Sequence, residues 1–368
     1  MRNNDVVGIV FSNTNEDTLP ELTTNRTTAS VPVGGKYRII DFILSNFSNA
    51  GINNVGIITN KNFLSLMDHV GSGKAWDLSK RRSGLTVLPP YNGKDYSNML
   101  EMIYNIRGYL ENCREQYVLL TGSNYVTNID FSQVFDFHSE KNADVTMIYE
   151  EMPAPEGMER PMVVTADEDG RIKKIGITPE ANGVLNISLG TTLISKELLL
   201  SIVKQALSVN ETNIKKVIQK AVEHYHAYAF KNTGYCSVIS SMKEYFNFNM
   251  DLMKPEVREE LFNSERPIYT KVRDDTPCRY GLNCFVKHSL VSQGCVINGT
   301  VENSVLSKGV QIGEGSVVKN CIIMQDTKIG DNVNLNYVII DKDVVVNNER
   351  SLMGFESYPI FISKKSTV

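Results

Sequence analysis

Through roughly the first 240 residues, short apolar runs alternate with amphipathic stretches, the pattern of an α/β arrangement. Val6–Phe11 (VVGIVF) predicts a buried strand, and further strands are expected at 55–59, Leu85–Leu88, Tyr117–Thr121, 145–149 and 225–230. Between them, residues 38–49 place Ile39, Ile40, Ile43 and Phe47 near helical spacing, with Gly51 as the stop. Residues 62–70 predict a second helix, and 97–113 is the longest helix candidate. Strands separated by helices imply parallel pairing with helices on both faces of the sheet. The mostly apolar run 198–203 is expected to be core.

The pattern changes near Gly281. VENSVL (301–306), VKNCII (318–323) and LNYVII (335–340) are alike and start 17 residues apart. Ile312 and Ile329 keep that interval, each followed by Gly and an acid, and HSLVSQGCVI (288–297) is an earlier, shorter copy of NSVLSKGVQI (303–312). Val291 to Ile297 and Ile312 to Val318 each step by six residues. Six-residue steps grouped in threes describe a parallel β-helix with one triangular coil per repeat, aliphatics inward and Gly or Asn at the corners. The polar stretch from Ser264, containing Pro267 and Pro277, predicts a linker. The expected division is 1–263 for the α/β domain, 264–280 for the linker and 281–368 for the β-helix.

At 368 residues the chain is long enough for two domains and for a core that needs no disulfide. Lys plus Arg total 38 against 42 Asp plus Glu, a net charge of −4, which argues against a nucleic-acid binder while leaving room for a local basic pocket. No apolar run approaches the ~18 residues of a membrane span, and 6–11 is too short for a secretory signal. The six cysteines form no CxxC pair, which fits a reducing cytoplasm. A cytoplasmic chain with no membrane and no nucleic-acid partner is the expectation.

The most specific stretch is PVGGKYRIIDFILSNFSNAGI (32–52), supported by GSGKAWDLSKRRSGLTVLPPY (71–91), EQYVLLTG (115–122), NFNMDL (247–252) and 299–324. These segments resemble the sugar-nucleotide pyrophosphorylases and, within them, glucose-1-phosphate adenylyltransferase (ADP-glucose pyrophosphorylase). The resemblance spans essentially the whole chain. It implies a Rossmann-like nucleotidyltransferase domain with a mixed, mostly parallel sheet, followed by a left-handed parallel β-helix of hexapeptide repeats. It also implies a reaction joining ATP and glucose 1-phosphate into ADP-glucose and pyrophosphate with Mg²⁺.

Residue by residue, the charged parts of that site are missing. The family's GGxGTR loop falls on Asn13, Thr14, Asn15, Glu16, Asp17 and Thr18, so the glycines and the Arg are gone and two acids stand where a polyphosphate would sit. The phosphate-binding Lys becomes Thr28, and the sugar-phosphate Lys of FxEKP becomes Thr178. The metal-holding Asp of GDH becomes Ser123, and the second metal Asp becomes Val238. Metal stabilisation contributes several kcal/mol and each ~1.4 kcal/mol is tenfold in rate, so the chain alone is expected to be inactive or very weak, with no metal and no cofactor of its own. The resemblance then implies a catalytically deficient, regulatory subunit in a hetero-oligomer, a tetramer, with a catalytic ADP-glucose pyrophosphorylase subunit. The alternatives are an active enzyme using Asp17 and Glu16, and a hexapeptide acyltransferase.

Other positions stay open between chemistry and packing. Gly34 and Gly35 suit a phosphate-facing turn or a tight turn before a helix; Lys36 and Arg38 could contact a phosphate ligand, Lys36 as a remnant of the substrate site and Arg38 as an effector residue, though Arg38 with Asp41 more often makes a structural pair. Lys80, Arg81 and Arg82, close to Trp76, could form an effector or partner surface or a solvated turn. Ser188 and Gly190 fall on the family's sugar-site turn, a remnant pocket. His224 and His226 would share a strand face, but two ligands without a third make no metal site.

Overall fold

The computed structural model describes residues 5–14, 16–80, 83–90, 95–158, 161–177, 183–272 and 274–368. Arg81, Arg82 and Thr178 lie outside the described residues. Val6–Phe11, buried at every position, runs through the middle of a nine-stranded mixed sheet. Asn54–Ile58 and Tyr117–Thr121 flank it in parallel, and Leu85–Leu88 extends the parallel edge. Beyond Tyr117–Thr121 the direction reverses. Val184–Ser195 runs antiparallel to Tyr117–Thr121, Val145–Pro153 and Met162–Ala166, which itself pairs antiparallel with Ile172–Ile177. Parallel pairing therefore holds where helices separate the strands. Among the described residues of 145–195 no helix intervenes, and strands joined by short connections return antiparallel.

Three local expectations shift. Residues 97–113 divide into Met99–Asn105 and Arg107–Asn112 at the non-helical Ile106, with the poor helix former Gly108 in the second piece. Lys196–Ser208 is longer and contains the 198–203 run, of which Leu199 and Val203 face the core. His224 closes the helix Ile214–His224 and His226 precedes the strand Ala227–Lys231, so the two histidines share no strand face. Val217 and Val222 are the buried residues of that helix, whose last turn carries His224.

The helix Ile39–Asn49 starts where Asp41 accepts the Arg38 backbone N–H at 2.9 Å, the reciprocal half of a capping box. It presses Phe47 onto the first strand so closely that a Cβ at Gly8 would enter the ring.

From Arg279 the chain winds into three parallel sheets of five strands. Val286 pairs with Val301 in the next coil, a step of 15 residues; Val301, Val318, Leu335 and Leu352 then follow at 17. Asn303 and Asn320 take left-handed φ values of 48° and 51° at a corner, a conformation Asn tolerates, and are linked by a 2.5 Å hydrogen bond.

The two regions pack on each other. Leu19, Val33, Ile39, Phe42 and Phe246 share an apolar cluster with Ile322, Met324 and Ile339 of the β-helix. Within this contact Arg26 forms a bidentate pair with Asp341, both oxygens at 2.7 Å and both side chains 4% exposed. The polar segment between the regions is strapped onto the helix Ile39–Asn49: Asn49 donates to the Pro267 carbonyl (3.1 Å), Tyr269 N–H to Ser45 Oγ (2.8 Å), and Thr270 Oγ1 to Asp41 (2.6 Å). Among the described residues no helix is long and apolar enough to cross a membrane.

Candidate functional site

The loop after the first strand is occupied by its own side chains. Asn13 Oδ1 accepts from the Ser12 hydroxyl (2.8 Å) and the Asn60 backbone N–H (2.9 Å), while Asn13 Nδ2 donates to Glu16 (2.5 Å) and to the Lys61 carbonyl (3.1 Å). Thr14 Oγ1 donates to the Phe11 carbonyl (3.0 Å) and accepts the Ser123 N–H (3.2 Å). Thr28 spends its hydroxyl on the Thr14 carbonyl at 2.7 Å. Glu16 opens a short 3-10 turn that ends at Thr18, and burial raises the pKa of its carboxyl, with Asn13 and Lys61 pulling the other way. Backbone and hydroxyl groups that could meet phosphate oxygens are thus turned on one another.

The two positions assigned to metal carboxylates are neutral and buried. Ser123 is 0% exposed and its Oγ has no hydrogen-bond partner among the described residues. Val238 stands opposite Tyr125 in a two-stranded pair and belongs to the apolar core. A lone hydroxyl and an alkyl side chain are not the oxygen set that Mg²⁺ requires, so the residues present do not fit that metal. Among the described residues no group of three His, Cys, Asp or Glu side chains is placed to hold a metal.

The glycine positions differ in what they approach. Gly34 and Gly35, at φ of 57° and 79°, turn the chain between Pro32–Val33 and Tyr37–Arg38. Gly34 N–H donates to Asn249 (2.9 Å), and a Cβ on Gly35 would meet the Ser292 hydroxyl and the Leu306 carbonyl of the β-helix. That turn is a contact between the two regions. Gly190, at φ 70°, lies in a bulge where its N–H donates to Ser188 Oγ at 3.2 Å, with open space beyond it.

Cationic side chains gather instead between the two regions. A narrow cleft of about 50 Å³ is lined by Lys36, Arg38, His69, Lys271, Lys308 and Lys342. Beside it opens a cavity of about 460 Å³ that shares Lys36, Tyr37, Lys271 and Lys308 and is walled by Leu252, Leu290 and Phe262. Arg38 donates to the Ser65 carbonyl and hydroxyl (2.6 and 3.0 Å), and Lys308 pairs with Asp275 at 3.0 Å. Lys271 donates to the Asp68 carbonyl. His69 Nε2 is 2.5 Å from Asp41, yet burial lowers the pKa of the ring against that pull. Burial first, then Arg38 and Arg26, push the Lys342 ammonium down to about 7. An anion entering this cleft would relieve like-charge crowding.

Of the sequence-assigned residues, Arg38 from the effector set and Lys36 from the substrate-site remnant reach the cleft. Lys80 pairs with Asp77 at 3.1 Å and donates to Asn53 at 2.6 Å, outside the cleft lining. Lys271, Lys308 and Lys342 escaped sequence reasoning. Yet 308, 325 and 342 are 17 apart, so the repeat itself stacks Lys308, Gln325 and Lys342 in one column facing the cleft.

A nucleotidyltransferase-like sheet joined to a hexapeptide β-helix is thus the class that fold and site define. Residues 17–254 match the nucleotidyl transferase family and 276–357 the GlmU-like C-terminal hexapeptide family, so the chain belongs to the nucleotidyl transferase family with a GlmU-like hexapeptide region. It is 33% identical over 371 residues to the glycogen biosynthesis protein GlgD of Bacillus subtilis (strain 168), covering 99% of this chain and 97% of that relative. It is also 33% identical to the glucose-1-phosphate adenylyltransferase of Clostridium perfringens (strain SM101 / Type A), over 89% of this chain and 87% of the relative. With the Bacillus anthracis enzyme of that name it shares 34%, over 90% of each. The resemblance seen in 32–52 therefore extends along the chain.

Proposed function

We propose that this chain serves glycogen biosynthesis as a non-catalytic, regulatory subunit that pairs in a cytoplasmic hetero-oligomer, a tetramer, with an active glucose-1-phosphate adenylyltransferase. One observation carries the reading: Thr28 and Ser123 are neutral and buried, Val238 belongs to the apolar core, and Asn13, Thr14 and Thr28 are spent on internal hydrogen bonds, while the two regions still share an apolar cluster. A fold kept without its charges is kept for its surfaces. An inactive subunit biases a partner when it binds the partner's more active state preferentially, by ~1–3 kcal/mol for typical coupling. The cation-lined cleft takes the part of an effector site for a phosphorylated small molecule, with Lys36, Arg38, Lys308 and Lys342 as its residues.

The test is to co-express the chain with an active homologue, purify through a tag on this chain, and measure kcat and effector response against the homologue alone. Co-purification with altered kinetics is expected; failure to co-purify, or unchanged kinetics, overturns the reading. The purified chain alone, given ATP, Mg²⁺ and glucose 1-phosphate, is expected to turn over far below ~1 s⁻¹, and a rate near that value indicates an active enzyme instead. Ser123→Asp with Val238→Asp is expected to leave ADP-glucose formation at least ~10³-fold below the active homologue, because the loop and Thr28 are unchanged and such defects act as a unit.

A further inference from the structure

A separate cavity of about 250 Å³ lies at the loop leading from Ala227–Lys231 into Cys236–Val238, and none of the residues assigned to phosphate, metal or effector lines it. Its polar floor is tied in place. Asn128, 7% exposed, donates to the carbonyls of Leu261 (2.9 Å) and Arg266 (2.8 Å) and accepts from Arg266 Nε (3.3 Å). Asn232, 3% exposed, gives its amide N–H groups to Glu150 (2.6 Å) and the Gly234 carbonyl (3.2 Å). Its carbonyl oxygen has no hydrogen-bond partner among the described residues, nor has the Thr233 hydroxyl. Phe230 supplies an apolar wall, held edge-on by Phe137 at 5.5 Å.

The charge of this cavity is the opposite of the cleft's. Asp130 and Glu260 stand against the single cation Arg266, which disfavours phosphate. What remains is acceptor oxygens, planar amides, the Thr233 hydroxyl and two aromatic side chains, Phe230 and Tyr235, in a volume at the small end of ligand cavities. That combination suits a neutral polyhydroxylated ring, whose hydroxyls meet the Thr233 hydroxyl and the acceptor oxygens of Asn232, Asp130 and Glu260 and whose C–H face lies on Phe230.

We infer that this cavity binds a neutral pyranose, one glucosyl unit, either free or as part of an α-glucan. The choice of glucose among neutral sugars rests on the glycogen reading above; the site itself does not. The experiment titrates the full-length chain with glucose, maltopentaose and the open-chain polyol sorbitol by calorimetry or ligand-observed NMR. Saturable binding of glucose or maltopentaose is expected, weakened at least tenfold in the exposed variants Thr233→Trp and Gln133→Ala and unchanged in Lys36→Ala, with thermal unfolding confirming that each variant is folded. Tighter binding of maltopentaose assigns the site to glucan, and equal binding to the free hexose. Absence of binding up to about 10 mM overturns the inference, as does equal binding of sorbitol. So does loss of binding in Lys36→Ala alone, which would place the sugar in the cleft. Sugar binding is read on the purified chain alone and co-purification on the co-expressed pair, so the two readings fail separately.

Discussion

The loop at Asn13–Thr18 and the cleft at Lys36–Lys342 are two polar regions of one molecule that use charge in opposite ways. In the loop, Thr28 donates to Thr14, Thr14 accepts from Ser123, and Asn13 holds Glu16, so these polar groups satisfy one another. In the cleft, Lys342 is buried near Arg38 and Arg26 with its ammonium pushed down to about 7, so charge is left in want of a counter-ion. A satisfied network is inert toward ligands because binding would trade one hydrogen bond for another. A crowded cationic one has free energy to gain from an anion. Among the described residues the cations therefore gather at the contact between the two regions and not at the loop.

Arg26 joins the two, since it neighbours Thr28 in sequence and pairs with Asp341 beside the cleft. Arg26→Ala leaves the buried Asp341 carboxylate with the Lys342 backbone N–H (2.7 Å) but no cation paired to it, and is expected to cost about 3–5 kcal/mol, read as a lower urea midpoint, with Arg26→Ala/Asp341→Ala recovering part of it. A loss below about 1 kcal/mol would mean that water compensates Asp341. Gly35→Ala and Gly190→Ala place a side chain at similar positive φ, so their difference isolates the packing against the β-helix. About 1 kcal/mol is expected at Gly190 and about 3 at Gly35, by thermal unfolding; equal losses would show that Gly35 acts through φ alone.

Lys342→Met is expected to weaken phosphate or sugar-phosphate binding about tenfold, ~1.4 kcal/mol, and to flatten its pH dependence. The sign follows from the lowered pKa. Between about 7 and the ordinary lysine value the folded chain holds fewer protons than the unfolded one, so stability rises with pH across that window. An anion raises that pKa and draws in a proton, so anion affinity falls as pH climbs above about 7, and titrations at several pH values check this. The smallest effect is expected at Lys80→Ala, below about 0.5 kcal/mol in stability and without change in anion affinity, because its ion pair is surface-exposed.

The 17-residue spacing determined the β-helix coils, because stacking in a prism demands one inward aliphatic at each coil's equivalent position. The helix Ile39–Asn49 and the strands Leu85–Leu88 and Tyr117–Thr121 were also legible, since runs of apolar residues bounded by polar ones mark elements that pack in or against the core. The missing charges at Ser123, Val238, Thr18 and Thr28 were also readable, because residue type alone decides whether a side chain can carry charge or ligate a metal. Only the tertiary structure decided where the remaining cations meet. Lys36, Lys271 and the repeat column of Lys308 and Lys342 come from three separate parts of the chain, and the Coulomb interactions that tune Lys342 depend on distance in space rather than along the chain. The same holds for the turn at Gly35, whose need for glycine comes from Ser292 and Leu306, more than 250 residues away, pressing where a Cβ would stand.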